Sequence, residues 1–303
     1  MKRTLVPLTL AAALVLLLTA CGENPDSSAD SVSSVSGAQS NGGGQVAGSA
    51  DMAAPVEMDL EGLTPVYGSS LKDGVYDIKV DSSSSMFKIA SCQLTVEGGE
   101  MTAVMTMGGT GYLYVYMDTG EQAAAAGEDS YIPFVEDESG AHTYTVPVEA
   151  LNTGIDCAAF SKNKEMWYDR TLVFRADSLP MDAFADGVIA TAESLGLADG
   201  SYTVDVTLSG GSGRANMESP ALLTVENGAA TATIVWGSSS YDYMKVDGVQ
   251  YDLVNPEGNS AFCIPVLGFD FPMPVQANTV AMSTPHEIEY TLYFDSTTIR
   301  AQS

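Results

Sequence analysis

Apolar side chains recur at every second position along much of this chain, as in Tyr76, Ile78 and Val80 of "YDIKV" and in Tyr202, Val204, Val206 and Leu208 of "YTVDVTL". A period of two predicts strands with one buried face. The stretch from Ala221 to Trp236, "ALLTVENGAATATIVW", reads as two strands joined by the tight-turn dipeptide Asn227-Gly228. Near the C-terminus "HEIEYTLYF" puts Ile288, Tyr290, Leu292 and Phe294 on one face. Between these regions "DSLPMDAFADGVIATAESLG" lacks the alternation and predicts a short helix around Met181 to Ser194. Before them, Gly22 to about Pro65 is Ser, Gly, Ala and Asp without apolar period, the composition of a flexible tether.

The strand pattern occurs twice. "LKDGVYDIKV" from Leu71 returns as "LADGSYTVDV" from Leu197, and "LTVEGGEMTAVMTM" from Leu94 as "LTVENGAATATIVW" from Leu223. "GTGYLYVYM" returns as "SSSYDYMKV", and "HTYTVPVEALNTGIDCAAF" as "SAFCIPVLGFDFPMPVQAN". Two domains follow, residues 66–178 and 197–303, joined by a linker over 179–196. Each is long enough for its own core. Seven or eight short strands per copy predict an all-β protein built from two immunoglobulin-like β-sandwiches.

The N-terminus changes the setting. Lys2 and Arg3 precede an apolar run from Leu5 to Leu18 that ends in "LTAC" at Cys21. The run is too short for a spanning helix and reads as a signal peptide over residues 1–20. Small residues ahead of Cys21 resemble a bacterial lipobox, which makes Cys21 the lipidated first residue of the mature chain, held at the outer face of the cell membrane by a tether over 21–65. Loss of Lys2 and Arg3 leaves 10 basic against 39 acidic residues. Such a surface excludes a nucleic-acid partner. Of the remaining cysteines, Cys92 and Cys157 share one copy and could pair, while Cys263 is expected to be a small buried hydrophobe.

No catalytic motif is present: "HEIEY" at His286 fails the zincin pattern, and His142 has no attached nucleophile or carboxylate. The chain therefore reads as a binding module and not an enzyme. The acidic runs lack calcium-loop spacing.

The order of motifs, "DGxYxV", a serine-rich segment with a methionine, the "LTVxxG" hairpin, "SSSYDYMKVDG", a proline-bearing "FCIPV" strand and a last strand with an aromatic, resembles the NEAT domain. That resemblance covers both copies. It implies an immunoglobulin-like fold, often in tandem on Gram-positive surfaces, and haem binding with transfer towards an ABC-type importer. In haem-binding members the last strand carries two tyrosines at i and i+4, one ligating iron and one supporting it. Carried over, His286 takes the ligand position and Tyr290 the supporting one, and both lie on one strand face. Imidazole is a competent haem ligand, as are phenolate and thioether. In the first copy the ligand position falls on Met166 or Trp167, with Tyr168 beside it and Met86 as another thioether. The resemblance further places Met217 over the distal face, Arg214 near a propionate, and Ser238, Ser239, Tyr241 and Tyr243 along the opposite wall. Net charge opposes an anionic ligand over a Debye length of ~8 Å, and Arg214, Lys245 and Lys88 are the local cations expected to offset it. The rival expectation is an adhesion or scaffolding lipoprotein that binds a protein or envelope ligand without a cofactor. A carbohydrate-binding module is weaker, because Trp167 and Trp236 fall on different copies and repeat no stacking platform.

Overall fold

The computed structural model describes residues 44–58, 60 and 63–302. The first eleven strands are β1 (Gln45–Val46), β2 (Gly74–Asp77), β3 (Lys79–Ser82), β4 (Ile89–Glu97), β5 (Glu100–Met107), β6 (Tyr112–Tyr116), β7 (Ile132–Pro133), β8 (Val135–Glu136), β9 (His142–Pro147), β10 (Ile155–Ser161) and β11 (Met166–Arg175). They form two sheets, ordered β2-β4-β5-β9-β8 and β3-β11-β10-β6-β7, with β1 parallel to the start of β11. The next ten are β12 (Gly200–Val204), β13 (Val206–Gly210), β14 (Ala221–Glu226), β15 (Ala229–Val235), β16 (Tyr241–Val246), β17 (Val249–Asp252), β18 (Ala261–Val266), β19 (Pro272–Thr279), β20 (His286–Phe294) and β21 (Arg300–Ala301). Their sheets are ordered β21-β12-β14-β15-β18 and β13-β20-β19-β16-β17. With β1, β8 and β21 set aside, both halves share one strand order. The sequence repeat is a repeat of topology.

Each half buries one apolar face of each of its sheets against the other. Leu94, Met105 and Tyr144 meet Leu172 and Phe174 in the first core, and Leu223, Ile234 and Ile264 meet Met273, Leu292 and Phe294 in the second. Burying each such side chain contributes roughly 1.5–3 kcal/mol. On β20 the alternation holds as the pattern predicts: Tyr290, Leu292 and Phe294 are buried and Ile288 packs at the core's edge. Turn chemistry sets the register of the long hairpins. Asn227 (φ 53°) and Gly228 (φ 78°) join β14 to β15, and Gly98 (φ 59°) and Gly99 (φ 84°) join β4 to β5. Two successive positive φ values make the turn that matches strand twist, and they favour Asn and Gly.

Four features depart from the sequence expectations. The helix expected over Met181 to Ser194 is a single 3₁₀ turn, Met181–Ala183. Phe184 is already extended (φ −79°, ψ 143°) and bridges Leu71, and further on Ala190 forms a β-bridge with Phe269. Part of the expected tether is packed against the first sandwich: Ala47 N donates to Trp167 O at 2.8 Å and Val56 N to Ser83 O at 2.8 Å. The reason is an open edge, since β3 covers β11 only from Leu172 to Arg175 and leaves Met166 and Trp167 for β1. Residues 21–43 and the lipidation candidate Cys21 lie outside the described residues. An inserted helix, α1 (Gly120–Ala125), follows β6 and is capped by Thr119, whose Oγ1 accepts from Gln122 N at 3.3 Å. It covers Trp167 on the outer face of its sheet, with Ala158, Val46, Tyr131 and Phe160. Finally, Cys263 is exposed and not buried, because Phe262 and Ile264 on either side of it take the inward positions of β18. Cys92 and Cys157 are buried free thiols.

Candidate functional site

One bulge, present in both halves, decides which tyrosines face inward. Tyr112 stands opposite Ser161 and Tyr114 opposite Phe160, and in the second half Tyr241 stands opposite Thr279 and Tyr243 opposite Asn278. The single residue between each pair, Leu113 or Asp242, has no partner on the neighbouring strand, so tyrosines two apart point to opposite faces. Tyr241 is therefore buried in the second core. Tyr243 is on the outer face, where its hydroxyl donates to Glu287 Oε1 at 2.9 Å. This corrects the expectation that Tyr241 and Tyr243 line one wall. Lys245 pairs with the same carboxylate and lies 5.4 Å from the Tyr243 ring, so its charge is not directed at an inward site. The hydrogen bonds from Lys245 and Tyr243 hold the Glu287 carboxyl below its usual range, and the bond to Glu287 raises the Tyr243 phenol.

In the second sandwich the inward residues fill their own space. Trp236 is fully buried, stacked on Tyr241 at 4.0 Å and edge-on to Tyr290 at 5.2 Å, and its Nε1 donates to Met244 Sδ at 3.4 Å. The Tyr290 and Tyr241 hydroxyls are 3.1 Å apart and hydrogen-bonded. Burial, and then that bond, push the Tyr290 phenol above its usual value. Gly211, at φ 59°, lies over the Tyr290 ring so closely that a Cβ would come within 2.7 Å of it. Met217 bridges Trp236 and is half-buried. His286 opens β20 opposite Thr279, on the same strand face as Tyr290 but exposed, with Nδ1 3.4 Å from Thr284 O. Tyr290 thus supports Tyr241 and not His286. Arg214 is exposed, and Ser239 lines a separate, open depression of about 570 Å³ with Asn255–Ser260.

The first sandwich has another arrangement at the same place. Leu172 stands opposite Ile155 and Ser82, as Leu292 stands opposite Met273 and Leu208. Counting back along the two strands makes Arg170 the counterpart of Tyr290, and Met166 that of His286. Trp167 points the other way, under α1. Met107 and Tyr112 occupy the positions of Trp236 and Tyr241. Here a cleft of about 540 Å³ opens, lined by Ser83, Ser84 and Met86 after β3, by Tyr112, by Ser161 and Lys164 of the β10–β11 hairpin, by Tyr168, Asp169 and Arg170 of β11, and by the N-terminal segment from Ser49 to Pro55. Two of the sequence candidates, Met86 and Tyr168, meet there; Met166 is not part of the lining. Met86 is 69 % exposed at the rim.

No protein-family model matches the chain, and no curated protein matches it significantly.

Arg170 is the residue that sequence reasoning missed. It is 5 % exposed, with its guanidinium 4.3 Å from the Phe87 ring centroid and 4.9 Å from that of Tyr112. The available signal was a cation on the inward face of β11, between Tyr168 and Leu172. Among the described residues, no group of three or more His, Cys, Asp or Glu side chains is placed to hold a metal ion, and no helix is long and apolar enough to cross a membrane. A cleft of this size with apolar walls and a few converging polar groups suits a small organic ligand.

Proposed function

We propose that the chain is a surface lipoprotein, anchored through Cys21, whose immunoglobulin-like, NEAT-like sandwiches capture haem or a related iron tetrapyrrole and pass it towards an ABC-type membrane importer. The observation that carries this reading is the first-sandwich cleft, where Met86 and Tyr168 converge from separate loops and strands. Thioether and phenolate are both competent axial donors to haem iron. The residues present fit such a group there, since Arg170 and Lys164 add positive charge for its acidic substituents. Bound, the tetrapyrrole would supply a Lewis-acidic iron, which the Met86 thioether and the Tyr168 phenol would hold. Ser83, Tyr112 and the segment from Ser49 to Pro55 would position it and exclude water. A tether favours hand-over to a neighbour by raising effective concentration.

A second reading, binding of a protein or envelope ligand without a cofactor, is favoured in the second sandwich by the Trp236–Tyr241–Tyr290 cluster, which fills the equivalent space. Titrating haem into the intact chain separates the two. The expected result is a saturable Soret band that shifts or weakens about tenfold in apparent affinity when Met86→Ala and Tyr168→Phe are combined, and that is unchanged in His286→Ala. A band lost in His286→Ala alone would move the site to the second sandwich. No saturable band would favour the cofactor-free reading.

A further inference from the structure

The guanidinium of Arg170 has an incomplete set of partners. Tyr168 O accepts from Nε at 3.3 Å and from Nη2 at 2.7 Å, and Nη1, buried from solvent, has no hydrogen-bond partner. Arg170 also makes no ion pair with any described carboxylate. A guanidinium stays protonated inside a protein, so the charge cannot be lost to relieve the burial. An unsatisfied buried donor is costly, more so when charged. The rings of Phe87 and Tyr112 compensate the charge in part, but a ring face does not replace an acceptor at Nη1. The two carboxylates in the lining are already engaged with backbone amides: Asp51 accepts from Gly48 N at 3.2 Å, and Asp169 accepts from Gly120 N. In the second sandwich the equivalent position holds the neutral Tyr290, whose hydroxyl is bonded. The orphan charge and the open cleft occur together, in the first sandwich.

We infer that this cleft is a carboxylate site, in which the acid group of a small organic anion draws the Arg170 guanidinium towards the opening until Nη1–H, otherwise buried from solvent, donates to it, while the anion's apolar body lies against Tyr112, Tyr168, Met86 and the segment from Met52 to Pro55. A charge-assisted hydrogen bond satisfies the donor and neutralises the cation. The volume of about 540 Å³ leaves room well beyond the acid group, which favours an organic carboxylate over a bare inorganic ion. Lys164 at the hairpin and the hydroxyls of Ser83, Ser84 and Ser161 add donors around the same opening. The inference stands on Arg170 and the cleft alone and needs no iron, so it survives or fails apart from the tetrapyrrole reading.

The test uses naphthoate and its neutral counterpart naphthalenemethanol, each titrated calorimetrically into the intact chain, with Arg170→Met alongside. Naphthoate is expected to bind saturably and the alcohol at least about tenfold more weakly, the scale of one charge-assisted bond. Arg170→Met is expected to weaken naphthoate by about tenfold to a hundredfold while leaving the thermal midpoint of the ligand-free protein equal or higher, because an apolar side chain removes a buried unpaired charge. A residue that only held the fold together would lower that midpoint. Equal affinity for acid and alcohol, unchanged naphthoate affinity in Arg170→Met, or no saturable naphthoate binding would each overturn the inference. Should Arg170→Met fail to fold, the acid and alcohol pair on the unmodified protein decides it.

Discussion

Trp236→Ala is expected to destabilise the second sandwich by about 3–5 kcal/mol, the range for deleting a fully buried large aromatic. The indole is fully buried, stacked on Tyr241 at 4.0 Å and edge-on to Tyr290 at 5.2 Å, so its removal leaves a cavity and frees both phenols from their packing. It also removes the Nε1–H bond to Met244 Sδ. The neighbours cannot collapse freely, because Gly211 already lies against the Tyr290 ring. Trp236→Met is expected to cost less, since it reproduces the Met107 arrangement of the first sandwich and refills part of the volume. Denaturant unfolding followed by circular dichroism measures both losses, and the fluorescence of the remaining Trp167 reports whether the first sandwich is untouched. A loss below about 1 kcal/mol for Trp236→Ala would mean that the cluster is not closed in solution.

The cysteines are expected to separate by orders of magnitude in reactivity. Cys92 and Cys157 are buried, and burial pushes each thiol up to about 12. The thiolate is the nucleophile, so neither reacts appreciably with an alkylating reagent near pH 8 while the protein is folded. Cys263 is exposed on the outer side of β18 and is expected to label fully under the same conditions. The same shifts set a pH dependence. Because the folded protein holds these protons more tightly than the unfolded chain, the stabilisation is complete below the unfolded thiol value of 9.0 and is lost as pH rises from there towards about 12. The slope is about 1.4 kcal/mol per pH unit for each thiol kept neutral. Mass spectrometry after timed alkylation, and denaturant midpoints across that pH range, check the two statements. Equal labelling of all three cysteines, or a Cys92–Cys157 disulfide under non-reducing conditions, would contradict them.

The strands were legible because period-two burial leaves its mark residue by residue, and Asn227-Gly228 marked its hairpin because few other pairs accept two positive φ values. The repeat was legible for the same reason, carried through to a shared strand order. What escaped the sequence depends on partners distant in the chain. The bulge at Asp242 shows only against β19, and without it Tyr241 and Tyr243 appear to share a face. The open edge of β11 that recruits Gln45 and Val46 exists only because β3 is short, so a polar, aperiodic segment reads as tether although part of it is packed. Arg170 was hidden by its type, since a cation in an alternating strand is usually taken as outward. Its inward position follows from the parity shared with Leu172 and Phe174. For the site, the sequence offered candidates in both copies, His286 in the second and Met86, Met166 and Tyr168 in the first, and only Met86 and Tyr168 of these line the first-sandwich cleft.

Entry of a ligand into the first sandwich, between the loop after β3 and the start of β11, is checked by amide hydrogen exchange of the intact chain with and without haem. Exchange is expected to slow by about tenfold or more at Ser83 to Met86 and at Lys164 to Arg170, with β13 and β20 unchanged. Protection confined to the segment from Met282 to Tyr290, or no protection at saturating haem, would contradict it.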